Sequence, residues 1–351
     1  MNAAAAPGRF AIVGAGAIGA YVGAALVRGG AEVTLIARGA HLEAMRRNGV
    51  QVRSPRGDFH VEVEATDDFD AIRDASVVFL GLKSYSLPEL APEIGARLGP
   101  GAAVVAAQNG VPWWYVHALG GRFGDLRLES VDPGGVVAGA IPLDRVIGCV
   151  IYCSTEIESP GVIRHIEGTR FAIGEPRAGA DPSRTTAISD AFQAGGLKCP
   201  VEEDLAEQIW LKLVGNVAFN PVSALTGCTL EELGRLPESK ELLRGIMQES
   251  MDVASALGVT LPVTIEHRLE RGLAVGAHKP STLQDLEAGK PLETDCLTGA
   301  VVELADQLQI PVPRTRAVDA CVRLLEARLG GWGSGVAAVA AVTRHLSAAD
   351  R

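Results

Sequence analysis

The chain has 351 residues, 47% of them hydrophobic and 21% charged, and a formal net charge of −10. Such a length buries a large core but exceeds what one core usually serves, so two domains are expected; the acidic balance argues against a nucleic-acid partner, which needs a basic face to neutralise phosphates. Six scattered cysteines without a CxxC pair and seven dispersed histidines point to reduced, buried thiols and to no metal site.

Residues 1–8 are alanine-rich but lack the basic segment and apolar core of an export signal, and a cytoplasmic protein is expected. Residues 9–38 then read as an apolar strand, the turn Gly14-Ala15-Gly16-Ala17-Ile18-Gly19, a helical stretch and a second strand ending on Ala37-Arg38. This is a dinucleotide-binding βαβ pattern. Gly14 permits the tight turn, Gly16 lets backbone N–H groups approach a pyrophosphate, and Gly19 lets the helix pack close to its strand. Ala17 and Ile18 open the helix whose positive end receives the phosphates. Where NAD-binding versions carry an acidic residue for the ribose 2′-OH, Ala37 and Arg38 suit a 2′-phosphate, so NADP(H) is the expected cofactor. The alternative for Arg38 is a solvated arginine at a strand end. Residues 10–27 contain no charge, but four glycines and the following strand pattern argue against a membrane span.

Farther along, residues 50–52 and 61–63 flank Pro55-Arg56-Gly57-Asp58 as a hairpin insertion, and residues 77–80 and 103–106 are continuous apolar runs suited to central parallel strands. Lys83 follows the first run and Gln108-Asn109-Gly110 the second, at strand ends where open α/β sheets place their ligands. Residues 147–155, 161–166 and 170–173 read as an antiparallel extension with turns at Ser159-Pro160-Gly161 and Gly168. From about Glu202 onward the pattern is helical only. The expected fold is therefore α/β: an N-terminal Rossmann-type doubly wound sheet with an antiparallel extension, then an all-α domain. The boundaries expected are 1–198 for the NADP-binding domain, 199–330 for the helical substrate domain and 331–351 for a glycine-punctuated tail.

Within the helical half, Lys212, Asn216 and Asn220 recur every fourth residue in an otherwise apolar helix, which aligns them as one polar stripe. Leaving such groups unpaired in a core would cost on the order of 2 kcal/mol or more each, so the stripe faces a ligand cavity or an interhelix polar network. The chain holds only five asparagines, which makes two in register with a lysine less of an accident. A further segment places Ser281 and Asp285 one turn apart on a short helix, broken by Gly289 and Pro291 so that Glu293 comes near a new helix N-terminus, where a carboxylate is stabilised in its charged form. Ordinary helix capping is the alternative there.

These motifs together resemble the ketopantoate reductases (2-dehydropantoate 2-reductases), from the GxGxxG opening through Lys83, the Gln108-Asn109-Gly110 turn and the Lys212, Asn216, Asn220-Pro221 helix to the Ser281–Glu293 segment. The resemblance implies a 6-phosphogluconate-dehydrogenase-like fold and NADPH-dependent reduction of 2-dehydropantoate to pantoate. It also implies Lys212 as general acid, Glu293 orienting the reacting groups, and Asn216, Asn220, Ser281 and Asn109 on the substrate. Lys83 and Asn109 would lie along the cofactor, Arg38 on the 2′-phosphate and Asp285 behind the site. A small-molecule 2-oxo acid is the expected partner, and a homodimer is one assembly open to the chain.

The chain departs from the family pattern after Gly110, where Val111-Pro112-Trp113-Trp114-Tyr115 takes the place of a small residue and a helix. The aromatic run reads either as packing at a helix start or as a pocket wall admitting a bulkier, aromatic 2-oxo acid, as in related D-2-hydroxyacid dehydrogenases. Leu292 and Thr298 also stand where polar residues are common in the second signature. A non-catalytic NADP-binding sensor is the remaining alternative, disfavoured by the intact Lys212 and Glu293, since a sensor needs no proton donor.

Overall fold

The computed structural model describes residues 8–177 and 179–329, and its contacts divide the chain into two compact units between Gln208 and Ile209. In the first unit the chain runs β1 (Phe10–Val13), α1 (Ala17–Arg28), β2 (Val33–Ile36), α2 (Gly39–Asn48), β3 (Val50–Arg53), β4 (Phe59–Val61) and β5 (Glu64–Thr66). It continues with β6 (Val77–Leu80), α3 (Leu87–Gly95), β7 (Ala103–Ala106), α4 (Tyr115–Leu119), α5 (Val136–Ala140), β8 (Val146–Ser159), β9 (Val162–Gly174) and α6 (Ser183–Ala194).

The nine strands form one sheet in the order β4-β3-β9-β8-β7-β6-β1-β2-β5. Strands β5, β2, β1, β6, β7 and β8 are mutually parallel, which is the doubly wound arrangement, and β9 runs antiparallel to β8. Strands β1, β2, β6 and β7 are buried along their whole length, as expected for apolar strands covered on both faces. Phe192 of α6 closes one face, with ring centroids 6.2 Å from Phe79 and 5.8 Å from Phe171. The helix ends there touch backbone to backbone: a Cβ on Gly29 would lie 2.6 Å from the Gly195 nitrogen, and one on Gly195 would lie 2.4 Å from the Ala25 oxygen.

The antiparallel extension consists of two long strands rather than three segments. At Gly168, expected to be a turn, the pairing shifts register between Tyr152 and Ser154 and the chain continues as a bulge. Its φ of +72° and the 2.3 Å approach a Cβ would make to the Tyr152 oxygen require glycine. The hairpin insertion is present, with Val50 opposite Val61, but its second strand is centred on His60, and β3 also joins β9 in parallel. The division between units comes after the expected residue 198, because Lys198 and Val201 form bridges to β9 and stay with the sheet. None of the six cysteines forms a disulfide; Cys149, Cys199 and Cys296 are buried as expected, whereas Cys153 and Cys228 are half-buried and Cys321 is exposed. Of the expected tail, residues 331–351 lie outside the described residues.

Helix α7 (Leu205–Thr226) contains the division between the units, and the second unit continues with α8 (Leu230–Leu233), α9 (Pro237–Ala256), α10 (Ile265–Leu273) and α11 (Ser281–Glu287). A π-helical turn (Asp295–Gly299) then leads directly into α12 (Ala300–Leu308), followed by α13 (Pro313–Leu329). Local caps mark several starts: Thr229 and Glu232 form a reciprocal capping box at α8, and Thr264 accepts from the His267 N–H at α10. Helix α13 is capped from elsewhere. The buried Glu249 carboxylate of α9 accepts from the Arg314 and Thr315 N–H groups at 3.0 and 2.8 Å and from the Thr315 hydroxyl at 2.8 Å. Glycines seat α10 on α7, since a Cβ on Gly215 would strike the Arg268 guanidinium and one on Gly272 the Phe219 ring. Among the described residues, no helix is long and apolar enough to cross a membrane.

Candidate active site

In the first unit, register places the expected cofactor residues at one end of the sheet. Val13, Ile36, Leu80 and Ala106 are adjacent across β2-β1-β6-β7, so the segments carrying Gly14, Arg38, Lys83 and Asn109 all leave the carboxyl ends of neighbouring strands. Strand order reverses between β1 and β6, which is the position of the ligand crevice in such sheets. The chain is tightly drawn there. Gly14 has a φ of +86°, and a Cβ on it would lie 2.8 Å from the Leu82 side chain and 2.9 Å from the Leu82 nitrogen. A Cβ on Gly19 would lie 2.3 Å from the Gly14 oxygen. A Cβ on Gly16, by contrast, would meet no protein atom within 4 Å.

The α1 N-terminus adds the donors. Gly16 is its N-cap and offers no side-chain cap, and no acidic residue lies in the first turn, so the N–H groups of Ala17, Ile18 and Gly19 have no intrahelical acceptor and point outward. These features fit a pyrophosphate: backbone can come close at Gly16, and the helix dipole and N–H groups favour an anion. Arg38, at the N-cap of α2, is exposed and has no ion pair among the described residues. Its charge is thus available to a phosphate. His41 of α2 accepts the Gly161 N–H at 3.0 Å through Nδ1 and lies beside Ala15 of the glycine turn, and burial lowers its pKa below the ordinary histidine value. Lys83 and Asn109 are half-buried.

A role for Gln108 was not evident in the sequence beyond its place beside Asn109. Its Nε2 donates to the Leu80 oxygen at 3.0 Å and to the Leu82 oxygen at 3.4 Å, which ties the end of β7 to the end of β6 and shapes the crevice floor. Trp114 is fully buried and fills the space above Gly148 of β8, where a Cβ would lie 2.5 Å from its ring. That contact supports packing for Trp114; Trp113 and Tyr115 are equally buried.

In the second unit, α7 places Lys212, Asn216 and Asn220 on one face, as their spacing requires. Lys212 and Asn216 are half-buried and Asn220 is buried. The Asn220 Nδ2 lies 3.5 Å from the Ser281 Oγ, a long contact that joins the stripe to α11. Pro221 follows inside the helix, and with no N–H it leaves the Val217 carbonyl without its usual helical donor. Helix α11 starts at Ser281 with Pro280 before it and no side-chain cap, so Ser281 is not committed to capping. Asp285 is buried on the same helix. Gly289, with a φ of +66°, turns the chain, and the buried Glu293 immediately precedes Thr294, the N-cap of the π turn. The helix start expected beside Glu293 is therefore present, with a wider first turn than an α-helix would give.

Two family models cover the chain: that described as ketopantoate reductase PanE/ApbA matches residues 10–178, and that described as its C-terminal part matches residues 204–326. A 2-dehydropantoate 2-reductase of Mesorhizobium japonicum is 41% identical over 92% of this chain and 99% of its own length. The chain belongs to the ketopantoate reductase family. A PanE/ApbA family ketopantoate reductase from Ralstonia eutropha superposes with a TM-score of 0.78 at 30% identity, covering 91% of this chain and 99% of that one. D-mandelate dehydrogenase, solved with NADH and anilino(oxo)acetate, has a TM-score of 0.77 at 18% identity over 92% of this chain and 99% of that one, and shares the fold alone. As a member of the ketopantoate reductase family the chain is an NAD(P)-dependent oxidoreductase acting on a CH–OH group.

Proposed function

We propose that the chain reduces 2-dehydropantoate to pantoate with NADPH, with Lys212 as general acid. The observation that carries this reading is the Lys212, Asn216, Asn220 stripe on a helix whose other residues are mostly buried and apolar, with Asn220 meeting Ser281. A polar seam of that kind is stable only against polar partners. The 41% identity with a 2-dehydropantoate 2-reductase over nearly the full length of both chains supports the substrate.

In this reading the first unit holds the cofactor: the N–H groups of Ala17, Ile18 and Gly19 bind the pyrophosphate, Arg38 binds the 2′-phosphate, and Lys83 and Asn109 line the path towards the nicotinamide. When bound, NADPH supplies the hydride to C2 of the 2-oxo acid. As charge develops on the carbonyl oxygen, the Lys212 ammonium stabilises it and delivers the proton there. Asn216, Asn220 and Ser281 orient the substrate through its hydroxyl and carboxylate, Glu293 orients the reacting groups, and Asp285 supports α11 from behind. Trp114 is engaged over Gly148, so the reading assigns it no part in substrate choice. A cytoplasmic enzyme with a small 2-oxo acid as its partner completes the proposal.

The test is NADPH oxidation across a panel of 2-oxo acids that includes ketopantoate and phenylglyoxylate, repeated on Lys212→Ala. Ketopantoate is expected to have the highest kcat/KM, and Lys212→Ala is expected to lower kcat on the order of a hundredfold while a fluorescence titration of NADPH stays unchanged. Preference for phenylglyoxylate would overturn the substrate. Loss of cofactor affinity in Lys212→Ala would overturn the role of the lysine.

A further inference from the structure

The π turn after Glu293 is an unusual local conformation with an identifiable restraint. The Gly299 N–H reaches the Thr294 carbonyl at 3.0 Å, five residues back, a geometry that persists only where its surroundings hold it. Those surroundings are on α13. Arg323 Nη1 donates to Asp295 Oδ1 at 2.8 Å, Arg323 Nε donates to Asp319 Oδ2 at 2.8 Å, and Asp319 Oδ1 accepts from the Thr298 hydroxyl at 2.7 Å. One continuous chain thus grips the turn at Asp295 and again at Thr298. Glycine at 299 makes room for it, since a Cβ there would lie 2.6 Å from Arg323 Nη2.

The two arms differ in strength. The Arg323 to Asp295 arm is partly exposed and so screened by water. The Thr298 to Asp319 arm is buried at both ends, where a hydroxyl donating to a carboxylate is strong and its loss leaves the carboxylate short of a donor. On its inner side the turn borders a cavity of about 10 Å³ lined by Pro221, Thr282, Thr294, Leu297, Thr298 and Val322. Three of those residues directly follow Asn220, Ser281 and Glu293 in the chain. The turn is therefore part of the floor beneath all three segments.

We propose that the Asp295, Arg323, Asp319 and Thr298 chain positions Glu293, holding the π turn that directly follows it and thereby setting the turnover number. This rests on the reading above in which Glu293 acts on the substrate. None of the four residues is assigned contact with substrate; they act through the backbone of the turn. A site displaced by an ångström loses catalysis far more than it loses cofactor binding.

The experiment compares Thr298→Val, which keeps shape and removes the donor, with Thr298→Ser, which keeps the donor and removes a methyl. Thr298→Val is expected to lower kcat roughly tenfold to a hundredfold with an unchanged Kd for NADPH, and Thr298→Ser to stay within about twofold of the wild type. Wild-type kcat in Thr298→Val, or equal losses in the two variants, overturns the proposal. Should Thr298→Val fail to fold, Arg323→Met and the charge-preserving Arg323→Lys are read in the same way: loss in the first and recovery in the second support the proposal, and equal behaviour overturns it. Glu293→Gln is measured alongside. If it retains wild-type turnover, both the clamp and the assigned role of Glu293 fall; if it is impaired while Thr298→Val is not, only the clamp falls.

Discussion

Replacing Gly16 with alanine separates folding from cofactor binding, because the added methyl group meets nothing in the protein. Its φ of −78° suits an L-residue, and no heavy atom lies within 4 Å of the new Cβ. The folding cost is that of a weaker N-cap, at most about 1 kcal/mol. The methyl instead occupies the space over which a pyrophosphate would approach the α1 N–H groups. Displacing one charge-assisted hydrogen bond costs about 1.5–3 kcal/mol, which corresponds to a rise in Kd of about one to two decades. Gly19→Ala is the control of opposite character, since its Cβ would lie 2.3 Å from the Gly14 oxygen. It should cost about 1–3 kcal/mol of stability through overpacking. Fluorescence titration with NADPH and thermal denaturation of both variants provide the assay. A Gly16→Ala protein with wild-type Kd would show that the pyrophosphate does not cross the start of α1.

Arg38→Ala is expected to raise the KM for NADPH by about tenfold to a hundredfold while leaving NADH use little changed; equal use of the two cofactors by the wild type would remove the basis for this. Burial pushes the Cys153 and Cys199 thiols up to about 12, whereas Cys321 is exposed, so alkylation of the native protein mapped by mass spectrometry should label Cys321 first and the other two only on unfolding. Burial also raises the Glu326 carboxyl above its ordinary value, against the pull of neighbouring donors. A raised carboxyl pKa favours the neutral folded form, so its contribution is full below about pH 4.3 and is lost as pH rises through the folded value. Glu326→Gln should therefore raise the thermal midpoint near pH 7 and flatten its pH dependence above pH 4, and a lowered midpoint at pH 7 would contradict the burial argument.

Legibility in the sequence followed the strength of local signals. The runs at 77–80 and 103–106 match β6 and β7 because strands buried on both faces need continuous apolar residues. The period of four in Lys212, Asn216 and Asn220 needed only helix geometry. Strand β5 was missed because Glu64–Thr66 is a three-residue edge strand with no fully buried position, defined by pairing with β2 rather than by its own composition. Gly168 gave the same signal for a bulge as for a turn, and the Tyr152 carbonyl opposite decided between them. Asp319 and Arg323 stand one helical turn apart and are readable as an ion pair, but their partners Asp295 and Thr298 are distant in sequence. The π turn they hold left no trace in the residue pattern. For the same reason nothing in the sequence marked Glu249, since the helix it caps begins 64 residues later at Pro313.

The contact between Gly29 and Gly195 bears on how α1 is located in space. One end of this 12-residue helix presents the glycine turn, and the other rests on bare backbone of the α6 terminus, with no side chain between them to yield. A flexible side chain at such a junction would absorb small errors by changing rotamer; two peptide groups cannot. The helix behaves as a strut set from its far end, so the tolerance with which Gly16 is placed is inherited from a backbone junction a full helix length away. Replacing Gly195 with alanine would require the strut to be re-seated, because the added Cβ would lie 2.4 Å from the Ala25 oxygen.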